Sequence, residues 1–264
     1  SSTGVISGFN AVGSNTTTSF TIEARDSASN ATERAFSITV NAPAISSFTS
    51  SGTFSVPSGV TAVDVLVVAG GGAGGATYHG GGGGAGGLIY RPGFTVTPGG
   101  TVSVTVGDGG TAPSPGSADQ PNPSPGQDSV FGTLTAKGGG AAGSNNASAA
   151  QGGSGGGTGQ LQQGPGASVG QGIQPNQPGE SGNYGFGNPG GHSNPGPWSS
   201  GGGGGGAGAA GSPAGNSPGG GPTTGVSGGN GGAGKAYTIA DGTTSVFYAG
   251  GGGGSAPRNP ASSQ

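Results

Sequence analysis

The chain contains neither cysteine nor methionine. Disulfides and thiolate metal sites are therefore excluded, although this absence alone fixes no compartment. Charge is almost as scarce: Lys and Arg number 6, Asp and Glu 9, and charged residues make up 6 % of the 264. Six scattered cations form no basic stripe, so nucleic acid is not an expected partner. A net charge of −3 is too weak to extend the chain by repulsion, as in acidic disordered proteins. No apolar run reaches about 18 residues, so no membrane insertion is read. The start, Ser1-Ser2-Thr3-Gly4, is no basic-then-apolar signal peptide. With no methionine even at position 1, the chain reads as an excerpt or processed piece of something longer. Apolar bulk is short too. Leu, Ile, Val and Phe together number 37, about 14 %, in the range of poor core formers.

What fills the chain is glycine, 71 residues, with 20 prolines. Glycine loses more backbone freedom on folding than any other residue, and so few apolar side chains cannot offset that cost. Either much of the chain is loose, or backbone hydrogen bonds and close backbone packing hold it.

Residues 1–43 read as β structure. Phe20, Ile22 and Ala24 alternate on one face of Ser19–Ala24, and Ala35–Val40 repeats the pattern. The intervening Asp26-Ser27-Ala28-Ser29-Asn30 is turn chemistry, which makes a hairpin. Residues 44–138 form a second block. Strands are expected at 48–57, 60–68, 88–90, 94–96 and 102–106, and a last short one at 130–136. That spacing predicts a small antiparallel β-sandwich. Residues 139–234 are a glycine-rich body without helical or strand periodicity. The collagen pattern fails there: Gly179, Gly182 and Gly185 keep the three-residue step, but position 188 is Asn. A structureless loop of this length is improbable in a compact domain. The body is either a mobile linker or a set of polyproline-II-type glycine helices, whose N–H and C=O groups must pair with neighbouring segments. The runs 80–84, 201–206 and 250–254 are long enough for such helices. Residues 235–264 read as a returning β-hairpin, with Asp241-Gly242 at its turn, followed by a truncated tail.

Several constellations imitate chemistry. Gly70-Gly71-Gly72-Ala73-Gly74-Gly75 after the strand Val63–Val68 matches G-x-G-x-x-G. A dinucleotide site also needs a helix and an acid about 20 residues on, and neither follows. His79 and His192, the only histidines, have no second ligand at zinc spacing. Asp108, Asp119 and Asp128 read as solvated turn acids. No paired carboxylates support a hydrolase, so no catalytic, metal or cofactor residues are assigned. The triplets at Asn15, Asn30 and Asn146 fit glycosylation, but a chain so rich in Ser, Thr and Asn produces them by chance. The aromatics are different. Tyr184, Phe186 and Trp198 stand in the glycine body beside His192. As packing plugs they would be local; as an exposed patch they would stack on sugar faces or an apolar receptor surface. Tyr78, His79 and Tyr90 serve similarly.

Two resemblances follow from these residues. Phe20–Asp26 with Ala35–Val40 is similar to the closing strands of immunoglobulin-like and cadherin-like repeats, which implies that residues 1–43 are the C-terminal part of an Ig-like β domain. In calcium-binding relatives an acid placed like Asp26 ligates metal, but a lone acid is no site. The longer resemblance runs over residues 48–254. Phe54-Ser55-Val56-Pro57-Ser58-Gly59-Val60, Val65–Gly72, Gly80–Gly87, Phe94–Gly99, Val104–Gly107, Phe131-Gly132 and Ala136–Gly140, in that order, look like the glycine-rich domain of phage tail fibres and related bacterial surface proteins. The family's closing Gly-Ser-Gly step into a Val/Ile-rich strand is missing. The resemblance favours the packed-helix alternative, a polyglycine-II bundle. It also implies a non-enzymatic virion-tail or cell-surface protein, with fibre neighbours or a homotrimer as partners and a surface glycan or outer-membrane protein as receptor. The competing expectations are a bacterial fibril subunit joined by β-strand addition and, last, an ice-binding protein, for which Pro, Asn, Gln and Ser are too irregularly placed.

Overall fold

The computed structural model describes residues 16–40, 44–76, 79–112, 123–144, 147–159, 168–176, 185–194, 200–215 and 227–256. The protein is all-β, with no helix among these residues. It divides into one compact unit of residues 1–47 with 240–244 and a second of 48–239 with 245–264.

In the first unit, β1 (Thr16–Arg25) and β2 (Ala31–Val40) pair antiparallel over ten residues. The register places Phe20 opposite Phe36 and Ile22 opposite Arg34. The two rings stack at 5.8 Å, and the Arg34 guanidinium lies 5.4 Å from the Phe36 ring centre. Asp26 makes the turn. Its carboxylate accepts the Asn30 side-chain amide at 2.8 Å and the backbone N–H groups of Asn30 and Ala28 at 2.9 and 2.8 Å. Those bonds, the Asn30 side chain foremost, hold the carboxyl below its ordinary range. Ile22 and Phe36 remain 49 % and 39 % exposed, so this hairpin presents an apolar face.

The second unit contains two facing sheets. One is ordered β3-β6-β7-β8 and built from β3 (Gly52–Ser55), β6 (Thr101–Thr105), β7 (Ser129–Phe131) and β8 (Leu134–Ala136). The other is ordered β4-β5-β9, from β4 (Ala62–Val68), β5 (Leu88–Thr95) and β9 (Gly185–Phe186). Val65, Val67 and Ile89 from one sheet meet Val104, Phe131, Leu134 and Ala136 from the other. Phe131 is the aromatic centre, 5.9 Å from Phe54 and 5.6 Å from Phe94.

Three of the differences from the expected strands have a local cause. The separate strands at 88–90 and 94–96 are one strand, β5. Proline has no N–H to give the ladder; the register shifts between Val63 and Val65, where Pro92 and Gly93 of β5 together face the single Asp64 of β4, whose carboxylate accepts the Gly93 N–H at 2.8 Å. The single strand at 130–136 is a hairpin, β7 and β8, because Gly132 takes φ 55° and turns the chain. The Asp241-Gly242 hairpin forms β10 (Lys235–Tyr237) and β11 (Val246–Tyr248). Its loop is longer than a two-residue turn, and Asp241 accepts the N–H groups of Thr243 and Thr244.

The rest of the second unit is a glycine lattice. Segment 201–207 displays its rule. Successive N–H groups from Gly201 to Ala207 bond the carbonyls of Ser255, Thr158, Ser212, Gly252, Gly155, Ala209 and Ala249, at 2.8–3.0 Å. The acceptors rotate through three neighbouring segments and return to the first every third residue. Carbonyls of the same segment accept from Gly229 and Gly232, Gly82 and Ala85, and Gly191. Six surrounding segments are thereby bonded to one. A three-residue rotation with no bonds inside the segment is the pattern of polyproline-II geometry. Segment 80–87 follows the same rule. Gly81, Gly84 and Gly87 donate to Gly143, Gly140 and Lys137, while Gly82 and Ala85 donate to Gly202 and Gly205. Glycine is required where these backbones touch. A Cβ on Gly204 would lie well under 3.0 Å from the Gly83 carbonyl oxygen, itself the acceptor of the Gly252 N–H. The lattice is not confined to residues 139–234, since segments 69–75, 80–87 and 249–255 belong to it.

Candidate functional site: the two ends of the glycine lattice

A lattice held by its own backbone leaves its side-chain chemistry at the ends, where segments turn. One end, which the sandwich sheets abut, begins at Leu88. The other is defined by His79-Gly80, Gly143, Thr158, Gly191, Gly201 and Ser255, which the bonds bring to one level: Gly81 to Gly143, Thr158 to Gly191, Gly202 to Thr158, Gly201 to Ser255 and Ser255 to Gly80. The run 80–87 separates the two ends by roughly 25 Å at about 3.1 Å per residue.

This spacing sorts the expected contact residues. Phe186 sits on β9, opposite Leu88, at the sheet end. His79 and His192 belong to the far end. Tyr78, Tyr184 and Trp198 lie outside the described residues. The structure therefore does not bring Phe186 together with the two histidines; they are on opposite ends.

The far end is polar and holds no carboxylate among the described residues. The Ser193 N–H donates to the Thr158 hydroxyl at 2.5 Å, the Asn194 N–H to the Ser200 carbonyl at 3.2 Å, and the Ser255 hydroxyl to the Gly80 carbonyl at 3.1 Å. His192 is exposed and its carbonyl accepts the Ala214 N–H. Three buried atoms there lack a partner: His79 Nδ1, Ser193 Oγ and Ser200 Oγ. The exposed His192 offers a hydrogen bond to a polar ligand. No group of three His, Asp or Glu that could hold a metal ion exists among the described residues.

At the sheet end, Leu88 and Ile89 point to opposite faces of β5 and both are fully buried, so both faces are covered. Ile89 faces the sandwich core. On Leu88's face lies the β10–β11 hairpin: Lys235 Nζ stands 3.8 Å from the Phe186 ring centre, and the Tyr237 ring 4.6 Å from that of Tyr90. Burial, and secondarily the negative charge of Asp64, pushes the Tyr90 phenol up; burial and then Tyr90 itself push Tyr237 up. The lattice is clamped to the sheet at Asp128. Its carboxylate accepts the Lys137 ammonium at 2.7 Å and the Gly138 N–H at 2.8 Å. Partial burial would raise this acid, but the Lys137 bond, the Gly138 bond and the Lys137 charge outweigh it and hold it low. Next to it Gln174 accepts the Lys137 N–H at 2.7 Å. Asp128 is therefore not the solvated turn acid that its loop suggests, since its carboxylate is held by Lys137 and Gly138.

Fold and site together define a protein whose body is a side-chain-poor, backbone-bonded glycine lattice capped by a small sandwich. The chain belongs to the glycine-rich domain family, whose profile matches residues 48–264. Neither the curated proteins nor the solved structures compared with it provide a match.

Proposed function

We propose that this chain is a non-enzymatic structural and adhesion segment of a phage tail fibre, exposed on the virion, which displays loops for binding to the host surface. The observation that carries this reading is segment 201–207, bonded to six neighbours through its own backbone. Such a body holds its shape without a large apolar core, and so leaves the turns at its far end free to vary as a binding surface. His192, exposed at that end, supplies a polar contact there. A cell-surface glycan or an outer-membrane protein suits that chemistry, and a homotrimer suits a fibre tip.

The test is adsorption of the labelled chain to a panel of Gram-negative cells, with and without periodate treatment of the cells. Saturable binding that is lost in the double variant His192→Ala, Trp198→Ala, with an unchanged unfolding midpoint, supports the reading. A folded chain that binds no cell, or whose binding ignores both substitutions, sinks it.

A second reading, a subunit of a bacterial extracellular fibril, is favoured by the exposed Ile22 and Phe36 on β1–β2. Two-stranded hairpins are marginal alone in water, and a strand from a neighbouring subunit would extend this one. That reading expects concentration-dependent filaments without cells, blocked by a peptide of residues 31–40.

A further inference from the structure

Cysteine and methionine, the usual targets of protein oxidation, are both absent here. One-electron oxidation then falls on the five tyrosines and the single tryptophan. Among the described residues one pair of phenol rings meets, Tyr90 and Tyr237, with centres 4.6 Å apart and planes 36° from parallel. At that separation ring carbons of the two are in van der Waals contact. Both tyrosines are held by strands: Tyr90 pairs with Leu66 in the β4–β5 ladder, and Tyr237 with Val246 in the returning hairpin. Each ring is only partly buried, so an external oxidant can draw an electron from it.

We propose that Tyr90 and Tyr237 form a site of oxidative phenol coupling, at which the returning hairpin is joined covalently to the sandwich sheet. A haem peroxidase with hydrogen peroxide is the class of oxidant required. Each phenol gives one electron and its hydroxyl proton. The two tyrosyl radicals form one carbon–carbon bond between ring positions ortho to oxygen. Each coupled ring then loses its ortho hydrogen as a proton, and the phenol oxygen is reprotonated. The pair loses two hydrogens in all, and one peroxide becomes two waters. The bond closes residues 91–236 into a covalent loop, which encloses lattice segments 138–143, 152–158 and 201–207. Tying the ends of so long a loop restricts the unfolded chain and raises stability, as a disulfide does. The chain has no disulfide to do this.

The experiment treats the full chain with a haem peroxidase and limiting hydrogen peroxide, then reads intact mass, dityrosine fluorescence and cross-linked peptides. The expected product is a monomer lighter by two hydrogens, fluorescent, with Tyr90 linked to Tyr237 and a raised unfolding midpoint. Tyr90→Phe and Tyr237→Phe, which keep the rings, each abolish that product. The wild-type peptide map decides the matter even if a variant does not fold. In denaturant the Tyr90–Tyr237 link loses its preference over other pairs. Coupling mainly through Tyr78, Tyr184 or Tyr248, coupling between chains, or oxidation without the Tyr90–Tyr237 link would each overturn the proposal.

Discussion

The sandwich and the lattice solve the same problem by opposite means. In the sandwich, Val65, Val67, Ile89, Val104 and Phe131 remove apolar surface from water, and the ladders satisfy the backbone as a consequence. In the lattice the order is reversed. Segment 201–207 buries little besides main chain, and its stability comes from bonds that each contribute only about 1 kcal/mol net. Those bonds form because nothing protrudes to keep the backbones apart. A core tolerates a missing methyl group and resists a missing ring, whereas the lattice tolerates no added methyl group where two of its backbones meet. The two regions should therefore fail under different substitutions.

The largest effect is expected for Gly204→Ala. Its Cβ would collide with the Gly83 carbonyl, which is backbone and cannot rotate away, and the displaced oxygen already serves Gly252. A loss of about 4 kcal/mol is expected, at the upper end of overpacking costs, as read by denaturant unfolding. Phe131→Ala should follow with about 3 kcal/mol, since it removes the ring that Phe54 and Phe94 pack against. Native-state hydrogen exchange separates the two variants. Gly204→Ala should release the amides of 201–207 most, and Phe131→Ala those of β6 and β7. Uniform release in both variants would break the comparison and make the second unit one cooperative block.

The same contrast explains what could be read from the residues. The β1–β2 hairpin was legible because Phe20, Ile22, Phe36 and Ile38 alternate with polar residues, and β4 because Val63–Val68 is a dense apolar run. Glycine carries no such pattern. The runs 80–84, 201–206 and 250–254 announced rods, but which rods touch depends on backbone bonds with no side-chain signature. Thus nothing in the residues indicated that Gly202 bonds Thr158, or that segment 80–87 takes five neighbours. The expected aromatic patch illustrates the cost. Phe186 and His192 are six positions apart, but the chain enters the lattice between them and runs toward the far end, so they do not share a surface. β9 was missed because two residues are too few for any periodicity. Tyr237 was visible within the hairpin, but its partner Tyr90 lies 147 positions earlier, beyond any local rule.

A smaller effect tests the joint between the two regions. Asp128 is held low by Lys137 and Gly138 despite partial burial. A carboxyl depressed on folding adds stability above its unfolded value, here the ordinary 3.8, and that stability is lost as pH falls through the folded value. Asp128→Asn should therefore lower the unfolding midpoint at neutral pH and flatten its decline in acid. Side-chain exposures of 41 % and 40 % for the pair limit the effect through solvent screening to about 1 kcal/mol or less. An acid slope identical in the two proteins would remove the clamp from the account.

The smallest effect is the sharpest control on the first. Gly253 lies in the same lattice as Gly204, on segment 249–255, but on an exposed side. A Cβ there finds only the Gly229 carbonyl oxygen, at 3.8 Å, an ordinary contact. Its neighbours in sequence still bond inward, Gly252 to Gly83 and Gly254 to Gly229, so the rod itself is unchanged. Gly253→Ala should shift stability by no more than about 0.5 kcal/mol, and in the stabilising direction if the backbone angles suit alanine, because the unfolded chain loses freedom. Composition alone gives no reason for Gly204 and Gly253 to differ, since both stand in unbroken glycine runs. Equal losses at the two positions would mean that glycine is needed throughout for its flexibility. A large loss at Gly204 alone would mean that it is needed only where two backbones meet.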